Sequence, residues 1–150
     1  MKVYIASPLF SETERLLNRS ICAAIESLCD VHLPQRDGPL VERAIAEGIS
    51  PIEAGRLAYD SDIDAIRRCD IVIAVLDGRA IDEGVCVEMG FAKALGKHIV
   101  GFKTDTRRTL PWGNNPMVEG CVDTWVHSTV LLSNYLTQMR VSAQRLSKGR

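Results

Sequence analysis

Acidic side chains crowd one stretch of this chain: Asp77, Asp82, Glu83 and Glu88 fall within twelve positions, and Asp60, Asp62 and Asp64 lie shortly before them. Glu88 differs from the rest in its surroundings. It sits inside Gly84-Val85-Cys86-Val87-Glu88-Met89-Gly90-Phe91-Ala92, where every neighbour is uncharged. A carboxylate so placed is expected to be partly desolvated and therefore more reactive than a surface acid. A position near a helix start offsets part of that cost, because a helix N-terminus favours negative charge. Gly84 and Gly90 are expected to let other groups approach closely. Two carboxyl groups beside a glycosidic bond can break it, one attacking the anomeric carbon and the other handling the leaving group's proton. Asp82, six residues earlier, is the candidate partner, with Asp62 as a second. The plainer alternatives are a first-turn glutamate that complements the helix dipole and a solvated helix charge at Asp62.

Other chemistries lack their residues. No G-x-G-x-x-G follows the first strand and no GxxxxGK[ST] occurs, which removes support for dinucleotide and P-loop nucleotide sites. Neither HExxH nor a Cys/His cluster is present, so no metal is expected. No G-x-S-x-G nucleophile elbow appears. His32, His98 and His127 lie in or beside expected strands, where structural roles are the simpler reading.

The elements that must position Glu88 follow from apolar patterning. Val3-Tyr4-Ile5-Ala6 reads as a buried strand closed by Ser7-Pro8, and Ser11 with Glu14 offers a capping box for a helix running through Cys29. Val31-His32-Leu33 is a second strand, stopped by Pro34. Residues 35–50 read as a long loop or lid with a short helix around Val41–Ala46. Ser50-Pro51 starts a helix to about Arg68 with Ile52, Leu57, Ile63 and Ile66 facing inward. The run from Ile71 to Leu76 is apolar throughout, as in a central parallel strand covered on both faces. A helix over Val85–Leu95, strands at 99–102 and 122–126 and a helix from Thr129 to Leu146 complete the chain. Alternation of this kind predicts one doubly wound α/β domain over residues 1–150, Rossmann-like or flavodoxin-like, with a five-stranded mostly parallel sheet and helices on both faces. Ligands of such sheets bind outside the carboxyl ends of the strands, which gathers Ser7-Pro8, the 35–38 segment and the stretch from Asp77 to Glu88.

Composition bounds the partners. A net charge of −1 gives no electrostatic reason to expect nucleic acid or an anionic membrane. No apolar stretch approaches the ~20 residues that span a bilayer. Five scattered cysteines without a CxxC pair, and no start resembling a signal peptide, lead to the expectation of a cytoplasmic protein with reduced thiols.

From Lys2 to about Trp125 the chain resembles the nucleoside 2-deoxyribosyltransferases. The likeness rests on Val3-Tyr4-Ile5-Ala6-Ser7-Pro8-Leu9-Phe10, Leu33-Pro34-Gln35-Arg36-Asp37-Gly38, the helix-to-strand run from Asp62 to Ala74, Asp82–Ala92, and Asn115-Pro116-Met117. Each block is loose alone; their order and spacing are specific. The resemblance implies Glu88 as a nucleophile forming a covalent 2-deoxyribosyl ester, with the Tyr4 hydroxyl orienting it. Asp62 and Asp82 would hold the nucleobase, one of them moving its proton, with Ser7 and Gly84 at the substrate. Asn115 and Met117 would complete a neighbouring subunit's site, which implies a homo-oligomer. The partners would be deoxynucleosides and free bases, with no cofactor. Two alternatives accompany this reading. One is a 2′-deoxynucleoside 5′-monophosphate N-hydrolase, for which the loop Ser7-Pro8-Leu9-Phe10 lacks glycines and an arginine to bind phosphate. The other is a non-catalytic nucleoside- or nucleotide-sensing domain.

Overall fold

Five short strands form one sheet: β1 (Lys2–Ala6), β2 (Asp30–His32), β3 (Ile71–Val75), β4 (His98–Phe102) and β5 (Thr124–Val126). Between and after them run α1 (Glu12–Ile25), α2 (Pro34–Asp37), α3 (Val41–Ala46), α4 (Pro51–Arg68), α5 (Glu83–Ala94), α6 (Pro116–Cys121) and α7 (Thr129–Lys148). The computed structural model describes residues 1–78, 80–107, 110–111 and 113–148, with side chains as far as 145. The strand order is β2-β1-β3-β4-β5 and every pairing is parallel, a stricter arrangement than the mostly parallel sheet expected. Order reverses between β1 and β3, and the crevice at their carboxyl ends is where such a sheet takes ligands.

The central strand explains the layering. Ile71, Ile73 and Val75 face one way, joining Val3, Ile5, Ile21, Ile25, Leu132 and Leu136 under α1 and α7. Val72, Ala74 and Leu76 face the other way, with Tyr4, Ala6, Ile66, Val85, Met89 and Ala92 under α4 and α5. Strand alternation assigns these faces, and burial on both sides accounts for the unbroken apolar run. Gly101 lets Trp125 lie against β4: a Cβ there would stand 2.8 Å from Trp125 Cε3.

Four expectations need correction. On α4, Ile63 and Ile66 are buried along with Ala54 and Ala65, but Ile52 is 88% exposed and Leu57 46% exposed. An 18-residue helix is about 27 Å long and a five-residue strand about 17 Å, so the first turns of α4 overhang the sheet and pack against α3. The first helix stops at Ile25, and Leu28 and Cys29 pack on the core from a turn. The 35–50 stretch is not an open loop, since it holds α2 as well as the short helix expected at 41–46. The last strand begins at Thr124, because α6 occupies the chain up to Cys121; Asp123 meets β4 ahead of the strand, its amide donating to the Ile99 carbonyl and its carboxylate accepting from the Ile99 amide. Among the described residues no helix is long and apolar enough to cross a membrane, and all five cysteines are free.

Candidate active site

Glu88 is delivered by α5. Gly78, at φ 111°, turns the chain away from β3, and Asp82 then caps the helix by accepting from the Val85 amide at 3.0 Å. Val85, Met89 and Ala92 bury one stripe of α5 against the sheet, which leaves Glu88 at the border of that stripe. Helix α5 begins two residues earlier than expected, so Glu88 lies in the second turn, where the helix dipole helps it less.

Across the crevice, β1 presents Tyr4, which is fully buried. Its hydroxyl donates to Glu88 Oε1 at 2.5 Å. Burial pushes the Glu88 carboxyl up to about 7; the Tyr4 bond opposes this, while the charges of Asp62 and Asp82 add to it. Burial also raises Asp62 to about 6, again opposed by the Tyr4 hydroxyl. The phenol itself is pushed far above its usual range by burial, then by Glu88 and Asp62, so it remains a proton donor. A phenol has one proton to give, and among the described residues the bond to Glu88 is the one with full hydrogen-bond geometry, while Asp62 Oδ1 is buried without a partner there. This constellation pairs a carboxylate that titrates near neutrality with a neighbouring acid that does the same. It can supply a nucleophile and a proton carrier at once.

Asp62 also lines a cavity of about 710 Å³ whose wall includes Leu9, Phe10, Gln35, Leu40 and Ala58. Mostly apolar walls with a few polar groups suit a flat heteroaromatic ligand. The wall is held by a partly buried network centred on the buried Asn18. Asn18 Nδ2 donates to the Pro8 carbonyl and to Gln35 Oε1, Gln35 Nε2 donates to the Arg15 carbonyl, and Arg15 donates to the Leu9 carbonyl.

Residues 3–142 match the family model described as nucleoside 2-deoxyribosyltransferase. The chain belongs to the nucleoside 2-deoxyribosyltransferase family. It is 29% identical over 131 residues to a nucleoside deoxyribosyltransferase of Limosilactobacillus fermentum, spanning 83% of this chain and 78% of that one. Among solved structures it is similar to a 2-deoxyribosyltransferase of Bacillus psychrosaccharolyticus, with a TM-score of 0.75, 23% identity and coverage of 90% of this chain and 92% of the other. A CMP N-glycosidase of Clostridium botulinum shares the fold at a TM-score of 0.57 and 19% identity, over 95% of this chain and 99% of that one. Nucleoside 2-deoxyribosyltransferases are glycosyl-transferring enzymes that act on N-glycosidic bonds, and this chain is such an enzyme.

The residues singled out by the family resemblance fall into two groups. Tyr4, Asp62 and Glu88 meet around one hydroxyl, and Asp82 lies close enough for its charge to act on Glu88. Ser7 is buried directly after β1 with its hydroxyl unpartnered among the described residues. Gly84 makes room mainly for the cap, since a Cβ there would stand 3.0 Å from Asp82 Oδ1, whereas a Cβ at Gly90 would meet open space. Asn115 caps α6 by accepting from the Met117 amide, and Met117 is 78% exposed on the first turn of that helix. Among the described residues neither of these two is hydrogen-bonded to the carboxylate cluster. Arg15, Asn18 and His32 belong to the site's surroundings and carried no sequence signal beyond being polar positions on amphipathic elements. The first loop itself carries no arginine, as its sequence shows; Arg15 reaches it from α1, donating to the Leu9 carbonyl at the cavity wall.

Proposed function

We propose that this enzyme exchanges the base of 2′-deoxynucleosides by double displacement on Glu88. The observation that carries the reading is the 2.5 Å bond from Tyr4 to a glutamate whose carboxyl titrates near 7. A Glu88 carboxylate oxygen attacks C1′, the C1′–N bond breaks, and its electron pair leaves on the base, which takes a proton from Asp62. A second base then attacks C1′ through a ring nitrogen, the ester C–O bond breaks to restore the carboxylate, and the base's proton returns to Asp62. Two inversions give net retention. Asp62 suits the proton role better than Asp82, because burial holds it near 6 while Asp82 caps α5. A pocket closing on the bare C2′ penalises ribose, whose hydroxyl needs room and partners.

Asn115 and Met117 complete the sugar site of a neighbouring copy in this reading, and the exposure of Met117 on α6 supports it. Sedimentation would then find a homo-oligomer, and Met117→Ala subunits mixed with Glu88→Ala subunits would regain partial activity. The five free thiols agree with a cytoplasmic location.

A second reading, hydrolysis of a nucleoside 5′-monophosphate, draws on Arg15 at the cavity wall and on the shared fold of the CMP N-glycosidase. A chromatographic base-exchange assay separates the two. A deoxynucleoside donor with a free base acceptor yields a new deoxynucleoside under the first reading. Release of base that ignores the acceptor and requires the 5′-phosphate supports the second.

A further inference from the structure

His32 was expected to be structural, yet it lies against the reactive pair. The parallel register of β1 and β2 sets Tyr4 opposite His32, so both side chains leave the same face of the sheet. Their rings lie nearly flat on one another, with centroids 5.6 Å apart and planes inclined by 12°. On the same face, Ala65, Ile66 and Cys69 belong to the apolar cluster that contains Tyr4. The phenol is therefore packed between an apolar helix face and an imidazole. Its hydroxyl is the far end of a long lever: a tilt of about 10° moves the oxygen by about 1 Å, enough to break a 2.5 Å bond.

His32 Nε2 is buried and makes no hydrogen bond among the described residues. Leaving that nitrogen unsatisfied is unfavourable, and an aliphatic side chain at the same place would avoid it. A flat, rigid aromatic surface is the property that an aliphatic side chain lacks.

We propose that His32 is a positioning residue, its ring pinning the Tyr4 phenol so that the hydroxyl stays on Glu88. The proposal rests on the reading of Glu88 as nucleophile for its effect on turnover, but not for its effect on the carboxyl itself. The charged and titratable groups that act on Glu88 are Tyr4 from β1, Asp62 from α4 and Asp82 at the start of α5. Those acting on His32 are Asp37 and Arg36 from α2, Arg68 from α4 and Asp30 from β2. Burial dominates at His32 and lowers its pKa, which favours the uncharged ring. Since the Tyr4 bond holds the Glu88 pKa down against burial, loosening the phenol must raise it further.

The test is a carbon-13 titration of Glu88, assigned by the signal lost in Glu88→Gln, in the wild type, His32→Leu, His32→Phe, Tyr4→Phe and the Tyr4→Phe/His32→Leu double variant. His32→Leu should raise the Glu88 pKa enough for about a threefold loss of carboxylate near pH 6. It should also lower kcat by about tenfold while KM stays within about twofold. His32→Phe should restore both values, and His32→Leu should change nothing further once the Tyr4 hydroxyl is gone. His32→Gln reads the same effect if the leucine variant does not fold. An unmoved Glu88 titration, a failure of phenylalanine to rescue, or an equal effect in the Tyr4→Phe background would overturn the proposal. A wild type without base exchange whose Glu88 still responds to His32→Leu would sink the functional reading and leave the positioning role standing.

Discussion

The Tyr4 hydroxyl and Glu88 Oε1 stand 2.5 Å apart although 84 residues separate them in sequence. Parallel strand β1 brings the phenol to the sheet's crevice, and α5, returning over β3, brings the carboxylate down to it. Together they hold a buried carboxyl near neutrality with a donor that does not itself ionise.

Removing that donor should be measurable at once. Tyr4→Phe is expected to cut kcat by about tenfold to a hundredfold with KM little changed, and to move the acid limb of the rate profile to higher pH. Steady-state kinetics at several pH values check both.

Glu88→Ala should leave the fold intact, as read by circular dichroism, while lowering turnover by several orders of magnitude. Mass spectrometry should detect a deoxyribosyl adduct on the wild type with donor alone and none on this variant.

Stability should depend on Glu88 in the opposite sense to a surface acid. Its folded pKa of about 7 exceeds its ordinary value of 4.5, so the folded state binds the proton more tightly and loses stability as pH rises from 4.5 through 7. At about pH 8, Glu88→Gln should be the more stable protein by on the order of 2 kcal/mol, or about 4–8 °C in Tm, with the difference vanishing near pH 4. Thermal melts at the two pH values decide.

Asp62, near 6, and Glu88, near 7, should titrate as a pair that is most active with one shared proton. A bell-shaped kcat/KM profile with its maximum between those values is expected, and Asp62→Asn should abolish the alkaline limb. A profile that keeps this limb in the variant would assign the proton to another group.

Away from the chemistry, Gly101→Ala should destabilise the fold by about 1–3 kcal/mol, since its Cβ would meet Trp125 at 2.8 Å. Urea melts followed by tryptophan fluorescence would read it.

Much of this was legible in the chain itself. Apolar runs of strand length separated by helical periodicity determined a doubly wound sheet, because alternation and the 3.6-residue repeat are local consequences of backbone geometry. An uncharged helix around one glutamate marked Glu88 for the same reason: desolvation can be read from neighbours in sequence. What the tertiary structure decided were relations between distant segments. It turned Ile52 and Leu57 outward, because the helix outruns the strands beneath it. The wall of the 710 Å³ cavity drew its shape from Asn18, Gln35 and Arg15, whose hydrogen bonds join loops far apart in the chain. The flat contact of His32 on Tyr4 also appeared only there, because it depends on strand register, and register is set by which residues the packed faces bury together.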